Sequence, residues 1–423
     1  MNRLYLQQIL IDQKEAFLNR KGLIQRDIHL DNYLRTKQIV VITGVRRCGK
    51  SSLMFLIQQA MQLDESKVCY CNFDDERITS YPALLNDIYA LHIEMYQTEP
   101  VFFFDEIQLV PGWERFANRM YEQGHKIFVT GSNATLLSSE ISTSLTGRNK
   151  VIELFPFSFA EYLRFLKKDY ALDKLSVKQR SLLLNDLGSY ISMGGFPLVV
   201  SERDLDIAHA LFQDIFYRDI VVRFRLTNVE EIREMALFLA SNIGKIFSYA
   251  TLQKITGIKS LSSIKNYLSY FEAGYLFHYL RKFDYSVKKQ IMNSRKVYAI
   301  DNALPNRLGF GFSGNRGRLL ENVVLIELLR RGHEVFYHSN KHECDFLIRE
   351  NMEIVQAIQV VYELNNENYS REINGLNEAM AAFNIPVGII IVNFENDFTT
   401  KLPPRIDAVP AYKWLLEGDT RKD

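Results

Sequence analysis

Eight residues, Gly44-Val45-Arg46-Arg47-Cys48-Gly49-Lys50-Ser51, follow directly on the apolar run Ile39-Val40-Val41-Ile42. Two glycines framing four residues, with Lys-Ser after the second, constrain the chain to a strand, a curled loop and a helix whose first N–H groups face an anion. Gly44 and Gly49 permit the curl, Lys50 adds a point charge, and Ser51 offers its hydroxyl to Mg²⁺. The helix is legible in Ser51-Ser52-Leu53-Met54-Phe55-Leu56-Ile57, which is amphipathic. The pattern predicts a phosphate-binding loop with ATP and Mg²⁺ as ligands. Gly44, Arg47, Cys48, Gly49, Lys50, Ser51 and Ser52 form its nucleotide-binding set, and Ser51 is one metal ligand.

Hydrolysis needs further groups. Val101-Phe102-Phe103-Phe104 is a buried-strand run ending in Asp105-Glu106, so both carboxylates emerge at the carboxyl end of a strand, where α/β sheets bind ligands. Asp105 is predicted to support Mg²⁺ through water, and Glu106 to orient and polarise the attacking water. The next strand, Lys126-Ile127-Phe128-Val129-Thr130, runs into Gly131-Ser132-Asn133. Asn133 or Ser132 can sense a γ-phosphate there, and Ser132 suits a helix N-cap equally well. Arg148, ahead of the strand-like Val151-Ile152-Glu153-Leu154, is the candidate arginine finger, acting in cis or from a neighbouring subunit; the alternative is a surface arginine. The predicted catalytic set is Lys50, Glu106 and Arg148.

These blocks, in this order, resemble the AAA-type P-loop ATPases. The closer resemblance is to a widespread prokaryotic group that continues into a winged-helix segment and a C-terminal nuclease-like domain. It is carried by Gly44 to Ser51, Phe104-Asp105-Glu106-Ile107, Thr130-Gly131-Ser132, Leu145-Thr146-Gly147-Arg148, Pro156-Phe157-Ser158-Phe159 and Gly194-Gly195-Phe196-Pro197. The resemblance implies an AAA-type fold and ATPase activity, and it lends no biological role.

At 423 residues with 47% hydrophobic content, the chain can build two or three cores. Its four cysteines, Cys48, Cys69, Cys71 and Cys344, fit no disulfide framework or zinc spacing and read as buried thiols of a reducing compartment. No apolar stretch approaches the roughly twenty residues of a membrane span. The expected location is the cytoplasm, with no membrane partner.

The net charge of +1 conceals an asymmetry. Residues 245–300 hold ten Lys or Arg against Glu272 and Asp284, a net +8 that leaves −7 for the remainder. That segment reads as a winged helix-turn-helix: a helix over 249–255, a turn at Thr256-Gly257-Ile258, a second helix over 262–271, and wing strands over 274–280 and 296–300. Ser262, Lys265 and Asn266 on the second helix can face a DNA groove. A module that packs against protein is the competing reading.

Near the C-terminus, a helix over 318–329 precedes strands over 334–337, 344–348 and 354–361. That order resembles the restriction-endonuclease-like core, whose active members combine a helix acid, a strand Asp and a Glu-x-Lys. Glu321 and Asp345 fit the first two places, but the third reads Gln359-Val360-Val361. Gln359 keeps an oxygen without its charge, and Val361 cannot hold a proton, so the site reads as degenerate and nuclease activity is not expected.

The expected architecture is therefore α/β: a P-loop NTPase (AAA-type) parallel sheet over 1–155, a helical lid over 156–243, a winged helix over 244–302, and an α/β restriction-endonuclease-like domain over 303–423. Arg218 and Arg223, in the lid region, read chiefly as salt-bridged helix surface. The expected function is ATP hydrolysis, coupled to DNA or to a partner through the winged helix, with homo-oligomerisation following if Arg148 acts in trans. Two alternatives stand beside it: a nucleotide-dependent switch that binds a protein without DNA, and an ATP-dependent DNA nuclease.

Overall fold

The computed structural model describes residues 2–132, 145, 147–309, 316–396 and 399–417. The chain divides into two compact units, Met1–Phe155 and Pro156–Asp423.

In the first unit, β1 (Ile39–Thr43), β2 (Val68–Asn72), β3 (Val101–Asp105), β4 (Ile127–Gly131) and β5 (Asn149–Glu153) form one parallel sheet in the order β2-β3-β4-β1-β5. Helices cover both faces of such a sheet, so its strands need near-continuous apolar runs; all five β1 residues are buried. β4 separates β1 from β3, and the pairings Thr43↔Gly131 and Asn72↔Asp105 bring the carboxyl ends of these strands to one edge. The helix Arg3–Leu18 packs beside β2. Its Gln13 accepts from the Asn72 N–H at 2.8 Å and donates to the Asn72 carbonyl at 3.1 Å, while Phe17 stacks on Tyr70 with centroids 4.1 Å apart.

The second unit holds two sheets. β6 (Ile246–Phe247), β7 (Phe277–Arg281) and β8 (Arg295–Ala299) form an antiparallel ribbon in the order β6-β8-β7. Before the ribbon's hairpin come the helices Tyr249–Thr256 and Leu261–Ala273, each started by a serine side chain that accepts a backbone N–H, Ser248 and Ser260. Gly257, at φ 70°, ends the first. The order in this segment is β6, helix, helix and hairpin, with a short helix, Val287–Met292, between the hairpin strands.

β9 (Glu334–Ser339), β10 (Glu343–Glu350), β11 (Glu353–Val361), β12 (Gly388–Val392) and β13 (Ile406–Pro410) make the other sheet, in the order β13-β12-β11-β10-β9. β9 to β11 run antiparallel, and β11 to β13 parallel. The helices Arg316–Arg330 and Tyr369–Phe383 belong to the same region, and the second of these, with β12 and β13, extends the core beyond what was expected.

The helical region 156–243 folds within the second unit. Asn302 donates to the Ile191 carbonyl at 2.8 Å and to the Leu319 carbonyl at 3.0 Å, tying the helix Val177–Met193 to Arg316–Arg330. Gly194 and Gly195 are explained here too. At φ 75°, Gly194 lies so close to Asp301 that a Cβ would stand 1.8 Å from Oδ1, and the Gly195 N–H donates to Asp301 Oδ2 at 2.6 Å. Residues 156–423 thus fall in one compact unit.

Candidate nucleotide site and carboxylate pocket

The loop between β1 and the helix Lys50–Ala60 has the backbone its glycines foretold. Gly44 has φ 149° and Gly49 φ 104°, both positive, and a Cβ on Gly44 would meet the Leu154 carbonyl oxygen at 2.1 Å. Arg47, also left-handed at φ 62°, projects outward, whereas Cys48 is fully buried and burial pushes its thiol pKa up. Cys48 can thus serve a ligand only through its backbone. Arg26, unmarked in the sequence, lies buried behind the loop. It donates from Nη1 to the Cys48 carbonyl at 3.0 Å and from Nη2 to the Phe155 carbonyl at 2.7 Å.

The Lys50 ammonium turns back into the loop, donating to the carbonyls of Gly44 at 3.1 Å and Val45 at 3.2 Å, with Glu106 Oε1 at 3.9 Å. A buried cation held chiefly by neutral carbonyls at the positive end of a helix is a donor set suited to a polyphosphate. Ser51 and Ser52, both half-buried, occupy the first turn of that helix.

Asp105 is buried at the end of β3. Thr130 donates to its Oδ1, and Tyr70 donates to Oδ2 at 3.2 Å. The same Thr130 hydroxyl accepts from the Glu106 N–H at 2.9 Å, so one side chain on β4 sets both acidic residues. Glu106 adopts φ 55°, a left-handed conformation uncommon outside glycine, and its carboxylate lies between Lys50 and Gln108 Nε2, the latter at 2.5 Å. Sequence reasoning looked past Thr130 to the residues after it. Ser132 is buried at the strand's end, and Asn133 lies outside the described residues.

Arg148 lies away from the phosphate loop of its own chain. Its carbonyl accepts from the Ile39 N–H at 2.8 Å, at the amino end of β1, whereas the phosphate loop leaves the carboxyl end. Five strand residues, about 13 Å, separate those ends. The guanidinium meets Asn118 Oδ1 at 3.2 Å and Glu122 Oε1 at 3.0 Å on the helix Trp113–Glu122. Arg148 therefore cannot act on a nucleotide in its own subunit.

In the second unit, Glu321 and Asp345 do converge, together with Glu343, and the group between them is a lysine the sequence did not flag. Lys296, on β8 and 1% exposed, places Nζ 2.9 Å from Glu321 Oε1, 3.0 Å from Asp345 Oδ1 and 2.6 Å from Glu343 Oε1. Burial alone would lower its pKa, but the carboxylates, Asp345 foremost, hold it well above the ordinary lysine value. Burial and the neighbouring Asp345 charge push Glu321 up to about 7. Gln359 accepts from the Asp345 N–H at 3.2 Å and donates to Glu372 Oε2 at 2.5 Å, so it acts as a neutral strut. Glu321, Glu343, Asp345, Gln359 and Glu372 edge a cleft of about 860 Å³, whose lining also includes Arg316, Arg318 and Arg371. Among the described residues no group of His, Cys, Asp and Glu is arranged to hold a metal ion.

A family model described as "AAA domain" matches residues 36–163, and one described as a domain of unknown function matches 184–315. An uncharacterised protein of Methanocaldococcus jannaschii is 37% identical, covering 98% of this chain and 96% of its own length. An uncharacterised protein of Haemophilus influenzae is 31% identical, over 83% of this chain and 90% of its own. The chain belongs to the family of these two proteins. Its residues 36–163 have the P-loop fold of an AAA domain. Among solved structures, the Aeropyrum pernix Orc1 protein in complex with DNA is similar over 70% of this chain and 95% of its own, with 12% identity and a TM-score of 0.30. No helix among the described residues is long and apolar enough to cross a membrane.

The basic segment is partly turned inward. Lys296 is consumed by the carboxylate pocket, while Lys254, Lys259, Lys265, Lys288 and Lys289 are exposed. Ser262, Lys265 and Asn266 share the exposed side of the helix Leu261–Ala273, and Lys265 Nζ stands 5.3 Å from the Tyr249 ring centroid.

Proposed function

We propose that this protein binds and hydrolyses Mg·ATP at the loop 44–51 and couples that cycle to DNA through residues 245–300. The observation that carries the first half is Lys50 in the loop mouth, 3.9 Å from Glu106, with Thr130 fixing both Asp105 and Glu106. Mg²⁺, held by Ser51 and by Asp105 through water, would supply charge neutralisation on the phosphates. Lys50 exchanges its carbonyl contacts for phosphate oxygens, and the loop N–H groups from Gly44 to Ser52 line the same anion. Glu106 orients a water and draws on its proton, and Asn133 or Ser132 reads the terminal phosphate. Arg148, 40% exposed in its side chain, is left for a neighbouring subunit's nucleotide, which implies a homo-oligomer. Four buried free cysteines support a reducing, cytoplasmic setting.

The test is a pair of variants. Lys50→Ala is expected to lose nucleotide binding, and Glu106→Gln to bind ATP normally while hydrolysing it about 100-fold or more slowly. Wild-type turnover by Glu106→Gln would remove the assigned role.

A further inference from the structure

We infer that the ammonium of Lys296 is the resident cation of the pocket formed by Glu321, Glu343 and Asp345, so that this pocket excludes a divalent metal and serves as an ionic clasp between strand β8 and the C-terminal sheet.

The first argument is position. Lys296 Nζ lies within 3.0 Å of a carboxylate oxygen from each of the three acids, at the point where their charges converge. A divalent ion bound by the same oxygens would stand against a fixed positive charge at contact distance, and Mg²⁺ and Mn²⁺ demand several oxygens directed at one point. The second argument is the oxygen inventory. Asp345 Oδ1 accepts from Lys296, and Oδ2 accepts from the Val360 N–H at 3.0 Å. Glu321 Oε1 accepts from Lys296 and from the Tyr298 hydroxyl at 2.6 Å. Glu321 Oε2 packs against Gly244, where even a Cβ would come within 3.0 Å. Three of the four carboxylate oxygens of Glu321 and Asp345 are therefore already engaged.

The third argument joins the clasp to the sequence. A Glu at 359 would add a negative charge to a cluster already holding three acids, and a Lys at 361 would add a second ammonium. With the neutral pair Gln359 and Val361 on β11, the buried ammonium of Lys296 is the group in contact with all three acids. Lys296 enters from β8, paired with Ile246 on β6 and Leu280 on β7. Its ion pairs therefore anchor the middle strand of the ribbon to the helix Arg316–Arg330 and to β10.

The experiment is Mn²⁺ binding by the full-length protein without nucleotide, read by electron paramagnetic resonance, with melting temperature alongside. Wild type and Asp345→Asn are expected to bind the same number of Mn²⁺ ions, and Mn²⁺ is expected to leave the wild-type melting temperature unchanged. Lys296→Met is expected to melt lower, to gain one Mn²⁺ per chain, and to recover part of the lost melting temperature when Mn²⁺ is added. Both gains should vanish in Lys296→Met/Asp345→Asn. If wild type loses a bound Mn²⁺ on Asp345→Asn, or if folded Lys296→Met gains none, the inference is overturned. Should either variant fail to fold, wild type against Glu343→Gln, altered at a side chain 43% exposed, makes the same comparison.

Discussion

Thr130 makes two contacts through one hydroxyl, which donates to Asp105 and accepts from the Glu106 backbone N–H. Thr130→Val keeps the shape and removes both bonds. Losing a hydrogen bond to a charged group costs about 1.5–3 kcal/mol, so ATP turnover should fall by about 10- to 100-fold. Nucleotide affinity, set by the loop, should change by less than about threefold; steady-state assays and a binding titration separate the two. Asp301 allows a pH prediction. Burial raises its pKa to about 7, against the two backbone N–H bonds and Arg330 that favour the carboxylate. The folded chain therefore binds this proton more tightly than the unfolded chain, whose Asp titrates near 3.9. The associated stability is complete below that value and is lost as pH rises through about 7. Urea midpoints measured from pH 5 to 8 should fall more steeply for wild type than for Asp301→Asn, which starts lower because an amide cannot accept from both Gly195 and Ala303.

At the scale of elements, legibility followed locality. The β1 run, the glycine loop and the helix after it are neighbours in sequence, so their pattern declared them, and the turn at Gly257 did the same for Tyr249–Thr256 and Leu261–Ala273. Lys296 left no such signal. It lies 25 residues from Glu321 and 49 from Asp345, and as one lysine in a basic segment it carried no periodicity pointing inward. For Arg148 the motif left cis and trans action open for a related reason: it gives order along the chain, whereas reach depends on which end of a strand a residue occupies. Gly194-Gly195 could be seen as punctuation, but its partner Asp301 lies 106 residues beyond Gly195. Gly194→Ala sets a Cβ into Asp301 and forces a left-handed alanine, and it should cost at least about 2–3 kcal/mol, read as a lowered melting temperature.

Across the whole molecule, charge is distributed against function as much as with it. The net +8 of residues 245–300 includes Lys296, which faces carboxylates, so the surface available to a polyanion is less basic than the count implies. DNA should raise the ATPase rate, and duplex affinity should fall steeply with salt, with Lys265→Glu weakening binding and flattening the salt slope. An ATPase rate indifferent to DNA at low salt would instead favour a switch that acts on protein. One further consequence lies in Arg26, whose two amino groups grip the phosphate loop at Cys48 and the last residue of the first unit at Phe155. A guanidinium is planar and stiff. Its two bonds join the Cys48 carbonyl and the Phe155 carbonyl through one planar group. The anion cradle and the end of the first unit are thus linked through a single buried side chain.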